Sequence, residues 1–487
     1  MRRTGGWVAV ASALTVACGG GDGASEEPGD AGTDVGRVSR EAATPSRDAR
    51  TDTTTTGQQD GGRSIFSQDA TGPSSDAGTD ATMADATEPR DARAPDAERG
   101  GHDGGGPQDA PRDTLAADGH RDADAARPGS DSTAPVEAGP EGGVVLALAG
   151  GGTWIVGGEY HPGATWTTNT ITGPEGSSGT TAQTSFAPAL ALLTPTSAIG
   201  VIGSSGSGGE LYYTTWTSPG GFAPFQAVST GVSTGGAPSI VASGGSAYVV
   251  YLGTDYKHYL AVWSSSSWST TAEPVTPPGG TQAFGPSPAS ITAVAGDEVI
   301  TYAGNDHDLY DQTRTGGVWQ PALAHGLAAQ DLVISPAIIA PTASADLMIA
   351  YVRGTDSQIM FTTRSSGTWS TPEAVDATAF SDLPVALAAL PGGQAVLAYQ
   401  GQDKNLYWST YTPAPTPTWT APAPVAAPNW STPSTPALAP GVGGVRAEMV
   451  YVDSTTTDAE HVRLGTTWST PQLVGASGFT CAAVTSM

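Results

Sequence analysis

Five large planar side chains recur at one position of a repeated segment, and they are the residues in this chain best suited to hold a ligand. Aligning Leu211-Tyr212-Tyr213-Thr214-Thr215-Trp216 with its later copies places Trp216, Trp263, Arg314, Arg364 and Tyr411 in a single column. Aromatic faces stack on the C–H faces of sugar rings, and a guanidinium adds forked donors for hydroxyls. A column of such groups suits multivalent glycan binding. The competing role is packing, in which each planar group covers the neighbouring repeat.

Other chemistries fit less well. The histidines of the C-terminal part, His161, His258, His307, His325 and His461, fall in different repeats without ligand spacing. Asp306-His307-Asp308 with Asp311 is a local acidic cluster, but a calcium loop needs more oxygen ligands at ordered spacing, so no metal is expected. There is no Gly-x-Ser-x-Gly nucleophile elbow. The hairpins Arg314-Thr315-Gly316-Gly317-Val318-Trp319 and Arg364-Ser365-Ser366-Gly367-Thr368-Trp369 resemble worn Asp-boxes of sialidases, with the defining Asp missing. That family gathers three arginines on one carboxylate. Here five arginines serve the whole C-terminal part, and Arg314 and Arg364 occupy equivalent places in different repeats, which a ring would point apart. The expectation is a protein without catalytic residues or cofactor.

The elements that position the column follow from the repeat. Pro188, Pro238, Pro288, Pro336, Pro384 and Pro436 are 50, 50, 48, 48 and 52 residues apart, each opening an apolar run such as Ala189-Leu190-Ala191-Leu192. A second marker keeps the same beat: Trp268, Trp319, Trp369, Trp419 and Trp468 are separated by 51, 50, 50 and 49 residues. Between them, Gly253-Thr254-Asp255, Gly304-Asn305-Asp306, Gly354-Thr355-Asp356 and Gly401-Gln402-Asp403 read as tight turns, with Gly supplying a permissive φ and Asp accepting backbone N–H bonds. Four short strands per fifty residues is the signature of a propeller blade, which buries its faces only by stacking on its neighbours.

The ends of the repeat region set the blade count. Val144-Val145-Leu146-Ala147-Leu148 and the segment after it match the later strands of a unit, whereas Gly478-Phe479-Thr480-Cys481-Ala482-Ala483-Val484 matches a first strand with nothing following. Joined, they complete a unit and remove the open strand edges. The predicted fold is all-β, a seven-bladed β-propeller over 144–487, with six full blades plus one composite N/C-terminal blade.

Residues 1–17 read as a signal peptide: Met1-Arg2-Arg3, then an apolar stretch from Trp7 to Ala17, too short to span a membrane. Leu14-Thr15-Val16-Ala17-Cys18 resembles a bacterial lipobox, so Cys18 is the expected lipidation site and first mature residue, and two or more acyl chains give a stable anchor. Residues 18–143 read as a disordered acidic tether. They hold 26 acidic residues against 11 Arg and no Lys, with repeated Asp-Ala units and almost no apolar side chains to offset ordering entropy. A flexible chain of that length spans on the order of 60 Å. With Cys18 acylated, Cys481 is expected to be a lone buried residue and no disulfide to staple the fold. Across 144–487 there are 21 acidic and 7 basic residues, with Lys257 and Lys404 the only lysines, a balance that argues against nucleic acid and anionic lipid surfaces. It also disfavours sialylated or sulfated polymers.

Tyr351-Val352-Arg353-Gly354-Thr355-Asp356 with Trp369-Ser370-Thr371-Pro372, and Tyr399-Gln400-Gly401-Gln402-Asp403-Lys404-Asn405-Leu406-Tyr407-Trp408, resemble the repeats of bacterial and fungal propeller lectins. These are the seven-bladed Photorhabdus-type and the six-bladed fucose-specific families. The resemblance covers all of 144–487 and implies glycan binding, to fucosylated or methylated sugars, in clefts between blades. The paired Trp of those repeats is kept only in part, and the Arg/Glu pairing of the fucose sites is not repeated in register. The expected protein is a non-catalytic, lectin-like lipoprotein of the bacterial cell envelope, held at the outer membrane or cell surface by its lipid anchor alone. A scaffold propeller that binds proteins instead, or a sialidase-like glycoside hydrolase, are the alternatives.

Overall fold

Seven small antiparallel sheets arranged in a ring make up this computed structural model. It describes residues 143–487 apart from 151–154, 174–183, 185, 204–208, 229, 327–331, 343–345, 414–415 and 426–429. The expected signal peptide, the expected lipidation site Cys18 and the expected tether lie outside the described residues. Blade 1 runs through Ala189–Thr194, Ser197–Gly203, Leu211–Thr217 and Gly221–Phe222, and blade 2 through Ser239–Ser243, Ser246–Leu252, His258–Ser264 and Ser267–Trp268. Blades 3, 4, 5 and 6 begin at Ser290–Val294, Ala337–Ile339, Ala386–Ala389 and Ala437–Pro440 and repeat the same order. In blades 1 to 5 the outermost strand is broken into two pieces that both pair with the third strand. In blade 2 these are Ser267–Trp268 and Glu273–Pro274, and a proline is tolerated there because the strand is at an edge.

The seventh blade is composite, as the sequence predicts. Phe479–Ser486 is its first strand and pairs antiparallel with Val144–Gly150, which pairs with Ile155–Tyr160 and then Thr167–Ile171. The register sets Leu146 opposite Val484 and Leu148 opposite Ala482, and all four are buried. Each first strand lies beside the first strand of the next blade, and Phe479–Ser486 closes the circuit between Ala437–Pro440 and Ala189–Thr194. Closure leaves only short outer edges exposed to water.

Two of the recurring prolines tie adjacent blades together. Proline has no N–H for the ladder and so opens a strand rather than continuing one. Its carbonyl is free to receive a hydroxyl from an adjacent blade: Ser290 Oγ donates to the Pro336 carbonyl at 2.6 Å, and Thr435 Oγ1 to the Pro384 carbonyl at 2.9 Å. Second strands such as Ser246–Leu252 and Leu347–Val352 are apolar almost throughout because neighbouring blades cover both faces. Cys481 is fully buried in the closing strand.

Candidate ligand clefts between blades

A nine-residue pattern, Tyr-x-Gly-x-Asp-x-x-x-Tyr, spans the turn from second to third strand in blades 2, 3 and 5: Tyr251 to Tyr259, Tyr302 to Tyr310 and Tyr399 to Tyr407. Strand register makes the two tyrosines of each copy direct cross-strand partners. Their rings stack, with centroids 5.8, 5.5 and 5.8 Å apart. The hydroxyl of the second tyrosine donates to the Asp: Tyr259 to Asp255 at 2.8 Å, Tyr310 to Asp306 at 2.7 Å and Tyr407 to Asp403 at 2.8 Å. The other carboxylate oxygen accepts a backbone N–H two residues on, from Lys257, Asp308 and Asn405. These Asp bonds are the ones the turn chemistry predicts.

The glycine acts differently from expectation. Gly253, Gly304 and Gly401 do not adopt a positive φ, which falls instead on the residue after the Asp: Tyr256, His307 and Lys404 at 62°, 63° and 70°. The glycines leave room. A Cβ on Gly401 would sit 2.7 Å from Tyr407 Cε2 and 2.8 Å from Asp403 Oδ1, closer than atoms can approach. A side chain there would push the tyrosine off its carboxylate.

In blades 3 and 5 the stacked tyrosines floor open clefts whose far wall is the connection from the preceding blade. The blade-3 cleft, about 420 Å³, is lined by Gln282, Phe284, Tyr302, Asn305, Asp306 and Tyr310, among others. The blade-5 cleft, about 350 Å³, repeats it with Phe380, Tyr399, Gln402, Asp403 and Tyr407. Both volumes fall within the range of small-ligand sites. For Asp306, burial raises the carboxyl's pKa, but the bonds from Tyr310 and the Asp308 N–H outweigh it and the net shift is downward. Tyr310, donating to that carboxylate and partly buried, is pushed up to about 12. Each cleft therefore presents a neutral phenol ring, an ionised carboxylate and a side-chain amide.

Behind the blade-3 cleft stands a residue with no counterpart in its neighbours. His258 opens the third strand of blade 2, where blades 1, 3, 4 and 5 have Leu211, Leu309, Ile359 and Leu406. It is fully buried, its ring lies 4.9 Å from Tyr302, and burial draws its pKa down to about 3, so it is neutral at ordinary pH.

The planar column lies elsewhere, on the opposite half of each third strand. Each member pairs across to the outer strand: Trp216 with Phe222, Trp263 with Trp268, Arg314 with Trp319, Arg364 with Trp369 and Tyr411 with Trp419. Trp216, Trp263 and Tyr411 are 1%, 8% and 5% exposed. Arg314 bonds Glu273 of blade 2 through both Nε and Nη2, and Glu298 of its own blade through Nη1. Arg364 lies over the Trp369 ring and 4.0 Å from Asp311 of the preceding blade. The structure does not bring the five together, and each meets its own blade junction. Arg353, another of the five arginines, is bound to Asp356 of its own turn.

The acidic cluster is also dispersed. Asp306 serves Tyr310, Asp308 accepts the Leu309 N–H, and Asp311 pairs with His325 at 3.0 Å. Among the described residues no group of three or more His, Cys, Asp or Glu side chains stands where it could hold a metal ion.

The sequence carries one wall of the clefts. The third-strand copies Leu309-Tyr310 and Leu406-Tyr407 carry tyrosine at a constant distance from the Gly-x-Asp turn. Phe284 and Phe380 belong to connections that carry no strand pattern, so only the tertiary structure brings them to the cleft.

No protein-family model matches the chain, and no curated protein matches it. Solved structures do. The BP39L lectin from Burkholderia pseudomallei aligns at a TM-score of 0.57 with 15% identity, covering 69% of this chain and 96% of that one. The periplasmic gluconolactonase PpgL of Pseudomonas aeruginosa (TM-score 0.46, 13% identity, 70% and 99% covered) and the fucose-specific lectin from Aleuria aurantia (0.40, 13%, 60% and 96%) are more distant. The class established is a seven-bladed β-propeller. At these identities the likeness extends to the fold and no further.

Proposed function

We propose that this chain is a carbohydrate-binding, lectin-like propeller that acts by binding, with its sugar sites in the clefts of blades 3 and 5. The observation that carries the proposal is the recurrence, between different pairs of blades, of one set of groups: stacked tyrosines, an ionised aspartate, an amide and a phenylalanine from the preceding blade. An aromatic face with a few convergent hydrogen-bonding groups is what a pyranose ring requires. Two shallow sites on one rigid ring also gain avidity that neither has alone. The BP39L fold neighbour is a lectin, which makes a sugar the first ligand to test.

The column residues Trp216, Trp263, Arg314, Arg364 and Tyr411 enter the proposal as the walls between blades that hold the clefts in place. Anchoring belongs to it as well: Cys18 carries the lipid and the tether holds the propeller off a bacterial envelope membrane. A sulfur bonded to lipid cannot also bond Cys481, and the chain has two cysteines. The intact mass of the mature protein, with and without reductant, reads that choice directly.

The test is a glycan array probed with the full chain, with Tyr310→Ala/Tyr407→Ala, and with Trp263→Ala and Arg364→Ala. Cleft binding predicts loss in the double variant. Absence of binding to any glycan, or binding indifferent to the paired cleft substitutions, overturns the proposal, and turnover of aryl glycosides or lactones would favour a hydrolase.

A further inference from the structure

The blade-3 cleft differs from its blade-5 counterpart at the rim. Tyr256 is 58% exposed and Phe284 37% exposed, and their rings meet edge to face at 6.4 Å. Phe284 also lines the cleft floored by Tyr302 and Tyr310, so the aromatic surface continues from floor to rim. Tyr256 occupies a left-handed turn position, φ 62°, that is unusual for a bulky residue; blades 3 to 6 place His307, Ser357, Lys404 and Thr457 there. The pair is held by backbone. Phe284 bridges Lys257, the His258 N–H donates to the Ala283 carbonyl at 3.0 Å, and the Gly285 N–H donates to Tyr256 at 3.1 Å. Both rings therefore stand on one hydrogen-bonded loop pair, whose backbone loses little freedom when a ligand lands.

The blade-5 cleft supplies the contrast within the same molecule. Phe380 bridges Gln358 in the same way, and the Ser381 N–H donates to the Ser357 carbonyl at 2.9 Å. Ser357 stands where Tyr256 stands, so the floor is repeated and the second ring is not.

We infer that the blade-3 cleft binds a glycan of at least two neutral sugar units, one ring on the Tyr302–Tyr310 floor and the next on the Tyr256–Phe284 rim, while the blade-5 cleft holds a single unit. This rests on the carbohydrate reading above. Neutrality follows from charge: Asp306 and Asp255 flank the surface, and the nearby cation Lys257 is paired with Asp255 at 3.4 Å. A sialylated or sulfated unit would meet carboxylates without a free partner.

The experiment uses the full chain on a printed series of matched neutral mono-, di- and trisaccharides, with tetramethylammonium titrated in parallel. Tyr256→Ser installs the residue that the same turn carries in blade 4, so folding is retained. The inference requires this variant to lose about tenfold in affinity for the longer members, as for one aromatic stacking contact, and to keep its affinity for monosaccharides. Ser357→Tyr should gain preference for the longer members. Equal losses on mono- and disaccharides, or none, overturn the inference. If Tyr256→Ser is silent while Tyr310→Ala still weakens binding, the rim fails and the carbohydrate reading stands. If no sugar binds, or tetramethylammonium alone binds, both fall.

Discussion

Replacing Arg314 by alanine separates a wall between blades from a sugar-binding residue. The guanidinium makes three charge-assisted bonds, two to Glu273 at 3.0 and 2.9 Å and one to Glu298 at 3.1 Å. Its side chain is 14% exposed and that of Glu298 5%, so truncation leaves a carboxylate buried without its partner. Breaking a buried pair from one side costs about 3–5 kcal/mol. At about 2 °C per kcal/mol for a large domain, the melting temperature should fall by about 6–10 °C. The pH dependence is set by Glu298. Burial raises its pKa above the ordinary 4.5, and Asp297 adds to this, against the lowering effect of Arg314 and Tyr248. A carboxyl whose folded pKa is raised holds its proton more tightly folded than unfolded, so its contribution to stability falls as pH rises from 4.5 through the folded value. Removing Arg314 raises that value further. The variant's deficit should therefore be full at pH 7 and shrink toward pH 5 as Glu298 protonates. Thermal unfolding by circular dichroism at both pH values is the assay, with Arg314→Met/Glu273→Gln/Glu298→Gln as the variant expected to recover stability. A deficit under about 1 kcal/mol at pH 7, the range of exposed ion pairs, or one that does not shrink with acid, would refute the reasoning. Loss of glycan binding with stability intact would return Arg314 to the ligand.

Three further outcomes are expected. A chain ending at Gly478 loses the closing strand; the burial of Phe479 and Val484 alone is worth about 3–6 kcal/mol, so the ring should open and aggregate by size-exclusion chromatography, and a monomeric truncation with unchanged melting would refute closure. His258→Leu, installing the side-chain type of the neighbouring blades, should remove an acid sensitivity. A buried histidine depressed from 6.5 to about 3 loses its stabilising contribution as pH falls through that window, so wild type and variant should diverge most at the acid end, and parallel stability curves from pH 7 to 4 would count against it. Asp306→Asn should bring the Tyr310 phenol down from about 12 toward 10, visible as one phenolate ionising earlier in an ultraviolet pH titration; an unshifted titration would contradict the Tyr310–Asp306 bond.

Order along the chain is legible without coordinates. The proline and tryptophan beats of about fifty residues, the unmatched first strand at Phe479 and the missing one before Val144 are relations between covalent positions. They were enough for the propeller, its seven blades and the composite closure. The Asp side of the turns was legible for the same reason, because an Asp and the N–H two residues on are close in any conformation the turn adopts. The role of the glycines is not legible in sequence because steric room depends on what approaches, and Tyr407 reaches Gly401 from across the hairpin. The planar column showed a shared shape but not a shared use. Whether a Trp or Arg faces water or the next blade depends on the neighbour that stacks on it, and Glu273 lies 41 residues from Arg314. The clefts are the clearest case. Each needs a tyrosine pair from one blade and a phenylalanine from a connection without periodicity, and only the closed ring, which presses every blade against the next, puts them side by side.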